Sequence, residues 1–183
     1  RGFGLRGQVG LFDRAHTAIS RLQPGVIDWE TIFGELGVRW FHSGGIFAGL
    51  SDSTPEVLQE AIEIAQKYGT VVSYDPNYRA SLWTGRGGKQ ESDSINKTFF
   101  EKIDVLFGVD DTDSEESQIE SLTKSTADRF SNLAVIATTE REIISSTQNN
   151  WQAVGLDSKG FQKTEALESI EIMDRVGAGD GFV

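Results

Sequence analysis

Apolar side chains recur at two different spacings along this chain, and the alternation between them predicts a strand–helix repeat. Trp29, Ile32, Phe33 and Leu36 stand three and four apart behind Asp28, a candidate N-cap, and ahead of Gly37, a C-terminal stop. The run Val38-Arg39-Trp40-Phe41-His42 reads as a strand. Thr54 then offers a second N-cap with Pro55 in the first turn, and Val57, Leu58, Ala61, Ile62 and Ala65 make one helix face that ends at Gly69. Thr70-Val71-Val72-Ser73-Tyr74 returns to strand, which completes a βαβ unit and implies a parallel pair with a right-handed crossover.

A second unit follows. Ile103–Phe107 predicts a strand, residues 115–130 contain a helix, and Leu133–Ala137 is a nearly continuous apolar run of the kind buried on both faces. Glu142–Ser146 and Trp151–Val154 flank Gln148-Asn149-Asn150, which predicts an antiparallel hairpin turning at those polar residues. Residues 84–94, rich in Gly, Ser and charge, read as a flexible loop. The expected architecture is an α/β layered fold with a mainly parallel central sheet and a mixed edge. Ligands of such sheets sit beyond the carboxyl ends of the strands, so the segments that follow strands carry the chemistry.

Composition narrows the classes. The chain has 183 residues with 17 basic and 28 acidic side chains, a formal charge of −11. Residues 1–91 account for −1 of that charge and residues 92–183 for −10. A field of that sign repels phosphate backbones, which argues against nucleic acid as a partner. No run approaches the roughly 20 apolar residues of a membrane span, so no membrane partner is expected either. Cysteine is absent, which removes disulfides and thiolate metal sites and fits a reducing, cytoplasmic setting. The one methionine is Met173 and the sequence closes on Gly181-Phe182-Val183, where a helix is starting; the chain reads as the middle and late part of a longer polypeptide.

Two segments stand out. In Asp174-Arg175-Val176-Gly177-Ala178-Gly179-Asp180-Gly181-Phe182, small residues allow close backbone approach and leave several N–H groups to converge on an anion, with a carboxylate beside it. Such a carboxylate makes sense as a base for an incoming hydroxyl. On spacing alone the segment serves equally as a turn with an ordinary N-cap aspartate. It is neither a Walker A loop nor a G-x-G-x-x-G fingerprint. The second segment, Tyr74-Asp75-Pro76-Asn77-Tyr78-Arg79-Ala80-Ser81-Leu82-Trp83, follows a strand and presents Asp75, Asn77 and Arg79, the last able to bind a carboxylate or phosphate through two donors. Read alone, it is also a polar turn punctuated by Pro76. His16 and His42 are the only histidines, which excludes a multi-histidine metal centre. Asp110, Asp111, Asp113, Glu115, Glu116 and Glu120 read as the solvated start of a helix.

Segment Asp174–Phe182 resembles the D-T-x-G-A-G-D-x-F signature of the ribokinase-type (PfkB) sugar kinases, and Asp75–Trp83 resembles the D-x-N-x-R-x-x-L-W stretch of the 2-keto-3-deoxygluconate kinases in that family. Asp13–Ala18 and Trp40–Ile46 are similar to two further pieces, in family order. The resemblance implies a ribokinase-like three-layer fold whose lid sheet is largely missing here: residues 1–20 would return from the lid and residues 21–183 would form the core, incomplete at both ends. It implies transfer of the ATP γ-phosphate to a hydroxyl of 2-keto-3-deoxygluconate or a related sugar acid. Asp180 would be the catalytic base, and Gly177, Ala178 and Gly179 the anion hole. Arg14, Arg79, Asn77 and Asp75 would bind substrate, and Thr138 and Arg141 the nucleotide. Relatives carry asparagine where Val109 stands and an acidic residue where Thr112 stands, a pair that places Mg2+; Asp110 or Asp111 would substitute. Asp174 would help bind a monovalent cation. The family often forms homo-oligomers. The alternatives are a kinase of a neutral sugar and a non-catalytic kinase-fold scaffold.

Overall fold

The computed structural model describes residues 14, 16–110, 118–145, 147–173, 177, 179 and 181–183. Thus most of the segment expected to return from a lid, residues 1–13 and 15, lies outside the described residues.

The first βαβ unit forms as the spacing predicts. Asp28 Oδ1 accepts the Thr31 backbone N–H at 3.0 Å, a working cap, and the turn that follows widens to a π-helix over Thr31–Glu35 closed by Leu36 N–H on Thr31 O. Strand β1 (Trp40–Gly44) leads through a single helical turn, α1 (Gly45–Ala48), into α2 (Thr54–Lys67) and then β2 (Val71–Asp75). Thr54 does not cap α2: it is its first residue, and its buried hydroxyl bonds Ser51 O and receives Ser51 N–H. After β2 come α3 (Ala80–Trp83), α4 (Gly88–Phe100), β3 (Val105–Phe107), α5 (Ile119–Arg129), β4 (Val135–Ile143), β5 (Gln148–Asp157), β6 (Gly160–Lys163) and β7 (Leu167–Glu171).

The sheet runs β1-β2-β3-β4 in parallel, with β5 antiparallel to β4. The far edge of β5 is divided end to end: Val154–Asp157 pair with β6, and Gln148–Trp151 with β7. The mainly parallel sheet with a mixed edge is therefore present.

Two local expectations are corrected. Residues 88–94 are the first turns of α4 rather than loop, because Ser92, Asn96, Phe99 and Phe100 fall on one buried face and Lys89 pairs with Asp93 one turn on. The hairpin does not turn at Gln148-Asn149-Asn150, which lie in β5. It turns just before them, where Ser145 Oγ accepts the N–H groups of Thr147 and Gln148. The end of the apolar run, 135–137, and the start of the segment from Glu142, 142–143, therefore belong to one nine-residue strand, β4.

Strand parity places the core. Phe41, Val72, Tyr74, Leu106 and Ile136 point to one face, where they meet Leu58, Ile62 and Ala65 of α2, Phe99 and Phe100 of α4, and Phe130. Tyr74 reaches through this core to give its hydroxyl hydrogen to Asn96 Oδ1 at 2.6 Å. Trp40, His42, Ser73, Asp75, Phe107 and Ala137 alternate with these and face the opposite way.

Candidate functional site

At the carboxyl ends of β1 and β2 the two chains nearly touch. A Cβ on Gly44 would lie 2.7 Å from Asp75 O, and one on Gly45 1.8 Å from Pro76 O, so only glycine fits at either position. Asp75 ends β2 and its Oδ1 accepts the Asn77 N–H at 3.0 Å, while Asn77 sits at φ +32°, a conformation this Asx turn supports. The segment then runs extended through Arg79 into α3. Trp83 anchors that end in the core, with the Arg86 guanidinium 5.0 Å from its ring centre. Arg86 also bonds Asp52 and the carbonyls of Gly49 and Ser51, which ties this loop to the one after α1. Arg79 itself is exposed, and among the described residues its guanidinium makes only a 3.5 Å contact with Tyr78 O. Arg79 thus stands as an exposed cation on the segment that follows β2.

The sheet face below carries a polar relay. Trp40 Nε1–H, a donor only, gives to Ser73 Oγ at 2.8 Å, and Ser73 Oγ lies 2.8 Å from His42 Nδ1. The arrangement that satisfies every group has Ser73 donating to Nδ1, which puts the imidazole hydrogen on Nε2. Burial holds His42 below the ordinary histidine pKa, against the pull of the Asp75 carboxylate, and favours the neutral ring. Its edge meets Phe107 with ring centres 5.9 Å apart at 73°.

The C-terminal signature reaches the same place. Gly177 adopts φ +77°, Gly181 N–H bonds Gly177 O at 2.8 Å, and Val183 N–H bonds Gly179 O at 3.2 Å, the i to i−4 pattern of a helical turn beginning. Phe182 stands edge-on to Phe107 at 6.1 Å and 85°. Val183 lines a cavity of about 450 Å³ with Trp40, His42, Ser73 and Asp75. On the other side Phe182 lines an apolar groove of about 350 Å³ with Ala137, Ala153 and Gly155 among others. The end of the chain therefore lies over the face of β1–β3, next to Asp75, a residue it is more than a hundred positions from in sequence.

Not every sequence candidate joins this site. Asp180, Ala178, Asp174 and Asp111 lie outside the described residues. Arg14 is half-buried, and its carbonyl accepts the Thr17 hydroxyl at 3.0 Å. Thr138 and Arg141 are three apart on β4 and so present to opposite faces; Arg141 lies over Trp151, 6.0 Å from the ring centre. Asp110 is 3% exposed, its carboxylate is ion-paired with Arg129 of α5, and its N–H donates to Thr126 Oγ1. Among the described residues no group of three or more acidic or histidine side chains could hold a metal ion. Asp110, expected to substitute in placing Mg2+, is instead committed to the Arg129 guanidinium. Sequence reading missed the Phe107–Phe182 contact and the Ser73 relay. The available signal was parity: Ser73 and Phe107 fall on the face that the core does not use.

No family model matches the chain. The crystal structure of 2-dehydro-3-deoxygluconokinase from Thermotoga maritima is 34% identical and has a TM-score of 0.79, covering 94% of this chain and 54% of that one. The curated 2-dehydro-3-deoxygalactonokinase of Haloferax volcanii is 28% identical over 96 residues, 52% of this chain and 28% of the relative. A candidate ribokinase II from E. coli, solved in complex with ATP and Mg2+, shares the fold at 20% identity and a TM-score of 0.61, over 84% of this chain and 45% of that one. These and further neighbours point to the PfkB-type carbohydrate kinases, and the fold is ribokinase-like α/β. The chain spans about half the length of the solved structures it matches, and 28% of the curated relative.

Proposed function

We propose that this chain is part of an ATP-dependent kinase that phosphorylates a hydroxyl of 2-keto-3-deoxygluconate or a closely related keto-deoxy sugar acid. The observation that carries the reading is the meeting of two distant segments: Val183, the residue directly after the signature, and Asp75, at the start of the Asp75–Trp83 stretch, line one cavity at the carboxyl side of a parallel sheet. The names of the Thermotoga and Haloferax relatives support a sugar acid over a neutral sugar. The exposed Arg79 suits a carboxylate, with Arg14, Asn77 and Asp75 as further substrate contacts.

In this reading Asp180 takes the proton from the attacking hydroxyl. The N–H groups of Gly177, Ala178 and Gly179 face the charge that develops on the transferred phosphoryl group, where prearranged donors act without reorganisation. Arg141 and Thr138 lie on the nucleotide side, and the parity of β4 allows one of them, not both, to reach ATP through its side chain. Magnesium is the expected companion of ATP and would neutralise phosphate charge when bound. Asp111 and Asp174 remain the proposed cation contacts.

The test is ADP release by the complete polypeptide with Mg·ATP, run with 2-keto-3-deoxygluconate and with fructose in parallel, beside Asp180→Asn. Turnover with the sugar acid that falls by about 10²–10⁴-fold in the variant is the expected result. Turnover with fructose alone keeps the mechanism and rejects the substrate. A folded protein inactive with both rejects the proposed kinase and favours a binding subunit, a reading to which Val109 and the Asp110–Arg129 pair lend weight.

A further inference from the structure

We infer that Phe107 is a positioning residue for the Gly177–Val183 turn, which it holds at the carboxyl end of the sheet through its contact with Phe182; this rests on the kinase reading above. Strand β3 is three residues long, and its last side chain, Phe107, points away from the core that Leu106 enters. The residue after it is fixed: Gly108 N–H bonds Ala137 O at 2.8 Å, at φ +133°. Phe107 therefore stands on a rigid base.

Two perpendicular ring contacts define where Phe107 sits. His42 meets it from the β1 side at 5.9 Å and 73°, and Phe182 from the other at 6.1 Å and 85°. Edge-to-face geometry is directional, because the positive ring edge seeks the negative face, so it fixes orientation as well as separation. His42 is in turn held by Ser73, and Ser73 by Trp40. An ordered series thus crosses three strands and ends on the turn: Trp40, Ser73, His42, Phe107, Phe182. Phe182 N–H bonds Gly179 O at 2.9 Å, so a shift of its ring is passed to the glycine backbone within one turn. The groove on the far side of Phe182 is lined by Ala137, Ala153 and Gly155 but also by Val135, Val154 and Leu156, so Phe107 is the one aromatic contact described for this ring rather than its sole neighbour. Since a misplacement of about 1 Å at a reacting centre can cost about 100-fold in rate, a residue that fixes this turn controls kcat without touching substrate.

The experiment compares Phe107→Leu, Phe182→Leu and the double variant in the complete polypeptide, with two readouts. Amide hydrogen exchange across residues 177–183 needs no activity; kcat and KM for the sugar acid and ATP do. The inference expects exchange at Gly181, Phe182 and Val183 to quicken at least tenfold in Phe107→Leu while α2 keeps its protection. It also expects kcat to fall by about 10- to 100-fold with the sugar-acid KM changed by less than about twofold. The double variant should be no worse than the poorer single one, because both remove one contact. Unchanged exchange at 177–183 overturns the inference whatever the activity. Additive losses in the double variant overturn the route through Phe182. Quickened exchange in a polypeptide whose native form shows no turnover rejects the kinase and leaves the anchor supported.

Discussion

The two faces of this sheet are built by different rules. On the helix side, Val72, Tyr74, Leu106 and Ile136 are each at most 1% exposed and lock against α2 and α4. On the other side, Trp40 is 54% exposed and the residues in line with it, His42, Ser73 and Asp75, are polar side chains held by hydrogen bonds. Apolar burial is non-directional and makes one face a source of stability. Hydrogen bonds and ring edges are directional and make the other a means of placing groups. Leu106 and Phe107 are neighbours in sequence, yet parity assigns them to opposite tasks.

That division can be tested at its sharpest point. Leu106→Ala removes a fully buried side chain from the centre of the core and should cost about 3 kcal/mol in urea unfolding. Phe107→Leu, one residue along, should cost less than about 1.5 kcal/mol, since it trims a half-buried side chain and leaves an apolar one in its place. Equal losses would erase the distinction between the faces. Arg129→Met should come next, at about 2 kcal/mol, because it takes the partner from the buried Asp110 carboxylate while Arg129 itself is partly exposed. An unfolding midpoint equal to that of the native chain would show that the pair adds nothing.

The smallest expected effect concerns His42. Its folded-state pKa lies below the ordinary value of 6.5, so the unfolded chain binds the proton more readily. Its contribution to stability is fully present above about pH 6.5 and is lost as pH falls from there through the folded-state value. His42→Gln should flatten this part of the stability profile between about pH 7 and 5, which denaturant titrations at several pH values would read. An unaltered slope would mean that the ring titrates alike in both states.

What could be read from the sequence follows the same division. The β1–α2–β2 unit and the buried strand pair were legible because apolar period alone decides them, with Gly37 and Gly69 as stops. Helix α4 was hidden because its first turns, Gly88–Glu91, carry the residues of a loop, and its buried face includes Ser92 and Asn96. The hairpin was displaced because asparagines suggest turns, whereas Asn150 spends its amide on Glu142 across the ladder and Asn149 is buried. Edge strands β6 and β7 are short and polar and carry little period. At the site, Asp75 and the glycines of the signature were visible as types and spacings. The Ser73 relay and the Phe107–Phe182 contact were not, because they join strands and a turn that only the fold brings together.

The pair Gly44-Gly45 has a consequence for how this molecule can diversify. With no space for even a methyl group against the carbonyls of Asp75 and Pro76, the strand crossing admits no substitution that leaves the crevice where it is. Arg79, a few residues on, is exposed and meets no such wall. Sequence variation is therefore sterically open at Arg79 and closed at the glycine pair. Under the proposed kinase, a library aimed at new acceptors would be spent on Arg79 rather than on the glycine pair.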